Sequence, residues 1–334
     1  MSHAPRPPDP SRIAAAAGTI DPLFLASPLL GNRALDERLG CTLVAKVETL
    51  NPIRSFKGRG TDLALAALPI GVRRVVSASA GNFGQGIAYA GAKRGIETVI
   101  YAAAAANPLK VQAMRRLGAR VVLGGEDFDA AKLAGRAFAE AAGSVFLEDG
   151  ATPEVAEGAG TIALELTRSG AAFDTVLVPL GNGALATGMG AWLKAERPGC
   201  RVIGVVAEGA PAMLLSWRSG SAVETQAART IADGIAVRVP VPYALACMGA
   251  TVDAVLSVSE DAIVAAMRLV HETLGLVVEP AGVAGIAALI EHGTRFRGAR
   301  VATVLCGGNL TPDQIRHWLC SPATAGEQPE RVGT

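Results

Sequence analysis

The sequence predicts an α/β fold with parallel sheet and helices on both faces. Three observations carry that expectation. Strand-like and helix-like segments alternate almost throughout, the strand candidates are short and mostly continuous in hydrophobicity, and glycine follows the helical segments. In chain order the strand candidates are residues 42–48, 74–78, 98–102, 120–123, 145–148, 175–179, 201–207 and 300–306. They are rich in β-branched residues, as parallel strands buried on both faces are. Helical candidates span 56–68, 107–117, 129–142, 154–167 and 260–274. Gly118, Gly143, Gly170 and Gly275 follow the last four, where a glycine ends a helix.

Composition narrows the function. With 50% hydrophobic and 18% charged residues, 334 residues can bury a large core and do not read as a disordered chain. A net charge of +1 without a basic or acidic block implies neither a nucleic-acid nor a membrane partner. No apolar run is long enough to span a bilayer, and the first dozen residues lack the apolar core of a signal peptide. Cys41, Cys200, Cys247, Cys306 and Cys320 form no C-x-x-C pair, which suits a reduced, cytoplasmic protein. The four histidines are scattered, so neither a zinc site nor a Ser-His-Asp triad has its parts. Proton chemistry must depend on another group.

Three strand ends are rich in glycine and small polar residues: S-A-S-A-G-N-F-G-Q-G (77–86), P-L-G-N-G-A-L-A-T-G (179–188) and L-C-G-G-N-L (305–310). In a parallel fold, ligands sit outside such ends. The 179–188 loop opens a helix, so its backbone N–H groups form a phosphate cradle or a plain tight turn. It lacks the spacing of a dinucleotide fingerprint. In the 77–86 loop, backbone donors with Ser79 and Asn82 could hold an anion, or Asn82 could simply cap the helix. Cys306 reads as core filling or as a weak partner for a heteroaromatic nitrogen. The fourth feature is N-P-I-R-S-F-K-G-R-G (51–60). Lys57 is one of six lysines in a chain that otherwise uses arginine, and it follows a Phe on a proline-containing turn. Most lysines are solvated, but a desolvated one offers an amine nucleophile. A reactive lysine, a phosphate cradle and a partner for a ring nitrogen are what pyridoxal phosphate requires.

With these motifs, together with T-I-A-D-G-I-A-V (230–237) and E-P-A-G-V-A-G (279–285), the chain resembles the fold-type II pyridoxal-phosphate enzymes, the tryptophan-synthase-β group. Within it, the chain is most similar to the serine/threonine dehydratases, over residues 20–319. The resemblance implies two parallel-sheet α/β lobes with the cofactor in the cleft between them. The small lobe would be 69–148 and the large lobe 1–68 with 149–334, leaving 1–18 and 321–334 disordered. Lys57 would bind the cofactor covalently and serve as the base at Cα. Phe56 would pack against the ring, Asn82 would bond its 3′-oxygen, and Cys306 would face its nitrogen. Gly181, Asn182, Gly183, Ala184 and Leu185 would hold the phosphate, while Ser79, Ala80, Gly81 and Asn82 would line the substrate carboxylate pocket. The implied reaction is α,β-elimination from L-threonine or L-serine, giving a 2-oxo acid and ammonia, in a cytoplasmic homodimer. A β-replacement synthase and a non-catalytic cofactor-binding protein are the alternatives.

Four departures from the family pattern stand out. Ala80 replaces the serine that racemases use as a second acid/base, so racemisation should be poor. Asn182 and Ala184 interrupt a glycine phosphate loop, and Phe83 replaces a frequent histidine. Ile53-Arg54 replaces Thr-Gly, so Arg54 either reaches a second substrate carboxylate, as in 3-hydroxyaspartate, or pairs with a local acid. Glu208 matches the first ligand of the family's divalent-metal site, but Leu214 stands where a second carboxylate belongs. A monovalent cation held by carbonyls is the alternative. The chain ends soon after the catalytic region, so no regulatory domain is expected.

Overall fold

In the computed structural model, which describes residues 6–320, ten strands fall into two sheets. They are β1 (Leu29–Leu30), β2 (Thr42–Val47), β3 (Arg74–Ala78), β4 (Glu97–Ala102), β5 (Arg120–Leu123), β6 (Val145–Leu147), β7 (Thr175–Pro179), β8 (Arg201–Ala207), β9 (Ala254–Val258) and β10 (Arg300–Leu305). The larger sheet runs β1-β2-β10-β7-β8-β9 and the smaller runs β5-β4-β3-β6. Every pairing is parallel except that of β1 with β2. The four strands of the smaller sheet all lie between Arg74 and Leu147.

The apolar continuity of the strands has its cause in this arrangement. β7 and β8 are covered on both faces, and Val176, Leu177, Val178, Val205 and Val206 have no exposure. Gly118, Gly143, Gly170 and Gly275 follow helices with φ between +58° and +93°, a region costly for other residues. Two strands escape the sequence pattern. β1 has only two residues, and β9 is the edge strand A-V-L-S-V, which follows the helix Pro242–Thr251 with no glycine break. Among the described residues, no helix is long and apolar enough to cross a membrane.

Part of the expected disordered leader is ordered instead. Residues Pro10–Ala16 form a helix capped by the Asp9 carboxylate, which accepts from Ser11 N–H at 2.8 Å. Ile13 is fully buried, and Arg6 and Arg12 pair with Glu157 and Glu154. The sequence signal was present, an Asp-Pro start ahead of one core-facing isoleucine, but the helix has only seven residues. The expected disorder at 1–5 and 321–334 lies outside the described residues.

The strongest polar feature of the large lobe is an ion cluster around Arg59. Its guanidinium is fully buried, donating to Glu48 at 2.8 and 2.9 Å, to Glu165 at 2.6 and 3.0 Å and to Thr161 at 3.0 Å. Burial alone would push the guanidinium down, but Glu48 and Glu165 outweigh it and hold it above its ordinary value. Burial likewise pushes Glu165 up, and the bonds from Arg59 and Lys46 win, holding its carboxyl below the ordinary 4.5.

Two outcomes follow. Arg59→Met leaves Glu48 without its cation and Glu165 with Lys46 alone, and should lower the unfolding free energy by roughly 3–5 kcal/mol, read from urea titration. Glu165 has a depressed folded value, so its stabilisation is complete above the unfolded value and lost as pH falls through the folded one. Glu165→Gln should therefore lower stability near neutral pH yet flatten its decline below pH 4.5. An unchanged acid limb would contradict the assignment.

Candidate active site

Carboxyl ends from both sheets converge on one cleft of about 540 Å³ between the sheets. From β2 the chain enters the turn 48–56, from β3 the loop 79–81, from β7 the loop 180–183, and from β10 the run Cys306-Gly307-Gly308-Asn309. This is the position a parallel sheet reserves for ligands.

The turn that delivers Lys57 is held by its own side chains. Asn51 accepts from Ile53 and Ser55 N–H at 3.2 Å and donates to the carbonyls of Glu48 and Ser55. Phe56 N–H and Ser55 Oγ both donate to the Cys306 carbonyl, at 3.0 and 3.2 Å. The helix Lys57–Ala66 then starts at the lysine. Lys57 Nζ lies 2.5 Å from Asp149 Oδ2 and 4.8 Å from the Phe56 ring centroid. Asp149 follows β6 of the smaller sheet, so a lysine that follows β2 of the larger sheet meets an acid just beyond a strand of the smaller one.

Asn82 does not cap its helix. Gly81 is the N-cap, and the Asn82 amide donates to Glu279 Oε1 at 2.7 Å while its oxygen accepts from Asn309 at 2.8 Å. Glu279 also accepts from Asn309 N–H at 3.1 Å. Burial and then Asp233 push the Glu279 carboxyl above its ordinary value; Lys110 and these donors oppose them. Ser79 Oγ accepts from Gly81 and Gly84 N–H, which fixes the 79–84 loop with Ala80 and Gly81 on the cleft. Cys306 is buried, and burial, followed by Glu279, pushes its thiol well up.

The phosphate-loop candidates occupy the start of the helix Ala184–Glu196. Gly183 is its N-cap at φ +93°, and no side chain caps the helix. Of Gly181, Asn182, Gly183, Ala184 and Leu185, only Asn182 lines the cleft; Gly183, Ala184 and Leu185 are buried behind it. An uncapped, glycine-led helix start offers N–H groups to a phosphate. With an aromatic ring beside a cleft-facing amine and a neutral thiol at the end of β10, the residues fit pyridoxal phosphate. Lys57, Phe56, Asn82, the 181–185 loop and Cys306 are the groups that would hold it.

Two candidates stand apart. Arg54 is exposed, is absent from the cleft lining and has no ion pair among the described residues. Its φ of +52° turns its carbonyl to accept from Gly308 N–H at 2.9 Å. Glu208 is exposed beyond β8, and among the described residues no cluster of three or more His, Cys, Asp or Glu could hold a metal. Conversely, sequence reasoning missed Asp149, Lys110, Asp233 and Asn309 and placed Glu279 only within a motif. The motifs A-D-G-I and C-G-G-N contained Asp233 and Asn309, whereas Asp149 had no signal beyond following a strand.

A model of the pyridoxal-phosphate dependent enzyme family matches residues 20–307. An L-threonine ammonia-lyase of Thermotoga maritima is 35% identical, over 90% of this chain and 75% of the relative. A biosynthetic L-threonine dehydratase of Salmonella typhimurium is 32% identical, over 92% of this chain and 60% of the relative. Among solved structures, a threonine deaminase of T.th. superposes with a TM-score of 0.86 at 34% identity, covering 91% of this chain and 99% of that one. Maize serine racemase superposes with a TM-score of 0.86 at 26% identity, covering 94% and 97%. The matched span holds the lysine turn, the Asn82 loop, the helix start at Gly183 and Cys306, and the chain belongs to the family of pyridoxal-phosphate dependent enzymes.

Proposed function

We propose that this chain is an ammonia-lyase that removes water from L-threonine or L-serine and releases a 2-oxo acid and ammonia. The observation that carries the reading is the Lys57 amine at the meeting of the strand ends. When bound, the cofactor supplies an electron sink joined to the substrate's Cα. Lys57 is the base that takes the Cα proton. The 79–82 loop is fixed by bonds from Gly81 and Gly84 N–H to the Ser79 hydroxyl, and its Ala80 and Asn82 N–H groups would serve as donors to the substrate carboxylate. Phe56 and Phe83 wall the cleft with apolar surface and limit water around the amine. Ala80 has no proton to offer, which disfavours inversion at Cα. Loss of the β-hydroxyl leaves an enamine that hydrolyses on release.

The cleft's charges favour a neutral substrate side chain. Lys110 pairs with Asp233, Lys132 with Asp129 and Glu148, Arg238 with Asp129, and Lys57 with Asp149. Among the described residues, no cation lining it is left for a second substrate carboxylate, and Arg54 is not part of the lining. Five unpaired cysteines suit a reducing, cytoplasmic compartment. The assembly is expected to be a homodimer, to be read by light scattering.

Purified, cofactor-loaded protein should release 2-oxo acid from L-threonine or L-serine and little from 3-hydroxyaspartate. Lys57→Ala should cut that release at least about 100-fold and remove the visible absorption of the bound cofactor. Turnover of the acidic substrate alone, or accumulation of an intermediate awaiting a nucleophile, would replace the proposed reaction with another. Cys306, buried with its thiol pushed up, should resist iodoacetamide in the native protein while exposed Cys320 reacts, as read by peptide mass spectrometry.

A further inference from the structure

Asp149 has no part in the roles so far assigned, yet it is the nearest acid to the reacting amine. Its Oδ2 lies 2.5 Å from Lys57 Nζ and 3.5 Å from Asn182 Nδ2. Its Oδ1 is buried and has no hydrogen-bond partner. The other two such atoms among the described residues, Ser77 Oγ and Glu260 Oε1, belong to residues that do not line the cleft. Gly150, immediately after, sits at φ +80°, and a Cβ there would meet the Asn182 carbonyl oxygen at 2.3 Å. The acid's position is thus built into the turn between the lobes.

An under-bonded carboxylate beside the base has an obvious complement in a substrate hydroxyl. Hydroxide is a poor leaving group and must be protonated as it departs. Resting on the elimination reading, we infer that Asp149 relays the Cα proton from Lys57 to the departing β-hydroxyl. The balance is internal. Lys57 removes the Cα proton, and the electron pair left behind forms the Cα–Cβ double bond as the Cβ–O bond breaks. The Lys57 ammonium passes its proton to the Asp149 carboxylate, and Asp149 delivers it to the oxygen, which leaves as water. Lys57 and Asp149 both end in the protonation states in which they began, and no outside reagent is used.

The test compares Asp149→Asn holoenzyme on two substrates. L-Serine needs a proton on its leaving group; 3-chloro-L-alanine does not, because chloride departs as the anion. Asp149→Asn should lose about 100-fold or more in kcat on L-serine, within the range of a general acid, and no more than about threefold on 3-chloro-L-alanine. Exchange of the Cα proton of L-alanine in deuterium oxide, followed by NMR, should persist because Lys57 performs it. Asp149→Glu, which keeps a carboxyl group, should recover part of the serine activity. Titration of cofactor-free Asp149→Asn with pyridoxal phosphate should give a Kd within about threefold of the parent. Equal losses on both substrates, undiminished serine turnover or a collapse of cofactor affinity would each overturn the relay. A parent enzyme that processes neither substrate would instead overturn the elimination reading on which the relay rests.

Discussion

The buried Arg59 cluster is the constraint from which the geometry of the cleft follows. A guanidinium can be taken out of water only where its donors are met, and Glu48, Glu165, Thr161 and Ser27 meet them here. Glu48 follows β2, Glu165 and Thr161 lie on the helix Pro153–Arg168, and Arg59 sits two residues after Lys57. Two residues are a little over half a helical turn, so fixing Arg59 into the large lobe turns Lys57 away from it and toward the cleft. The glycines on either side serve the same end. A Cβ at Gly58 would strike the Phe24 ring at 2.1 Å, and one at Gly60 would strike the Val155 carbonyl at 2.4 Å. The K-G-R-G run is therefore one cleft-facing cation, one buried cation and two close approaches of backbone.

That anchor positions only one wall; the other comes from the smaller sheet and is tied across the cleft by side chains. Asn82 reaches Glu279 and Asn309, Lys110 reaches Asp233, and Arg238 reaches Asp129. Glu279 shows how finely these ties are set. It is buried, its nearest bonds come from neutral N–H donors, and Gly307 lets it approach because a Cβ there would lie 2.1 Å from its oxygen. Burial of a carboxylate without an adjoining cation is costly, and amide donors from two strand-end segments, Asn82 after β3 and Asn309 after β10, offset that cost. The same amide of Asn82 that sequence logic assigns to a ligand is thus already part of a polar network.

The fold was largely legible because its central strands β7 and β8 are buried on both faces and several of its helices are followed by glycine, both of which leave local marks. β3, β5, β7 and β8 coincide with the expected segments at both ends, and the helix Glu260–Leu274 does likewise. The short elements were not legible: a two-residue strand has no period, and the seven-residue Pro10–Ala16 helix rests on contacts distant in sequence, the burial of Ile13 and the pairing of Arg12 with Glu154 and Glu157. For the site, glycine-rich loops and an isolated lysine mark themselves, because their composition departs from what packing requires. Asp149 does not. An aspartate after a strand is ordinary in sequence, and only the fold reveals that Lys57, 92 positions earlier, stands beside it. Arg54 failed in the opposite way, since a charged residue near the lysine suggested contact, whereas its left-handed backbone leaves it exposed and outside the cleft lining.

With Arg54 outside the cleft and Asp149 inside it, the cleft disfavours an acidic side chain on the substrate. A free guanidinium in the cleft would have rewarded an acidic side chain; among the described residues the cleft instead offers cations that are all paired and, at Asp149, a buried carboxylate oxygen that is not. A buried acceptor without a donor costs about 1–3 kcal/mol, and an arriving donor recovers it. A second carboxylate has no proton to give at neutral pH and would add repulsion. A hydroxyl gives a proton-bearing dipole at the same place and adds no charge. The polarity of the cleft therefore selects for the group that the proposed reaction expels.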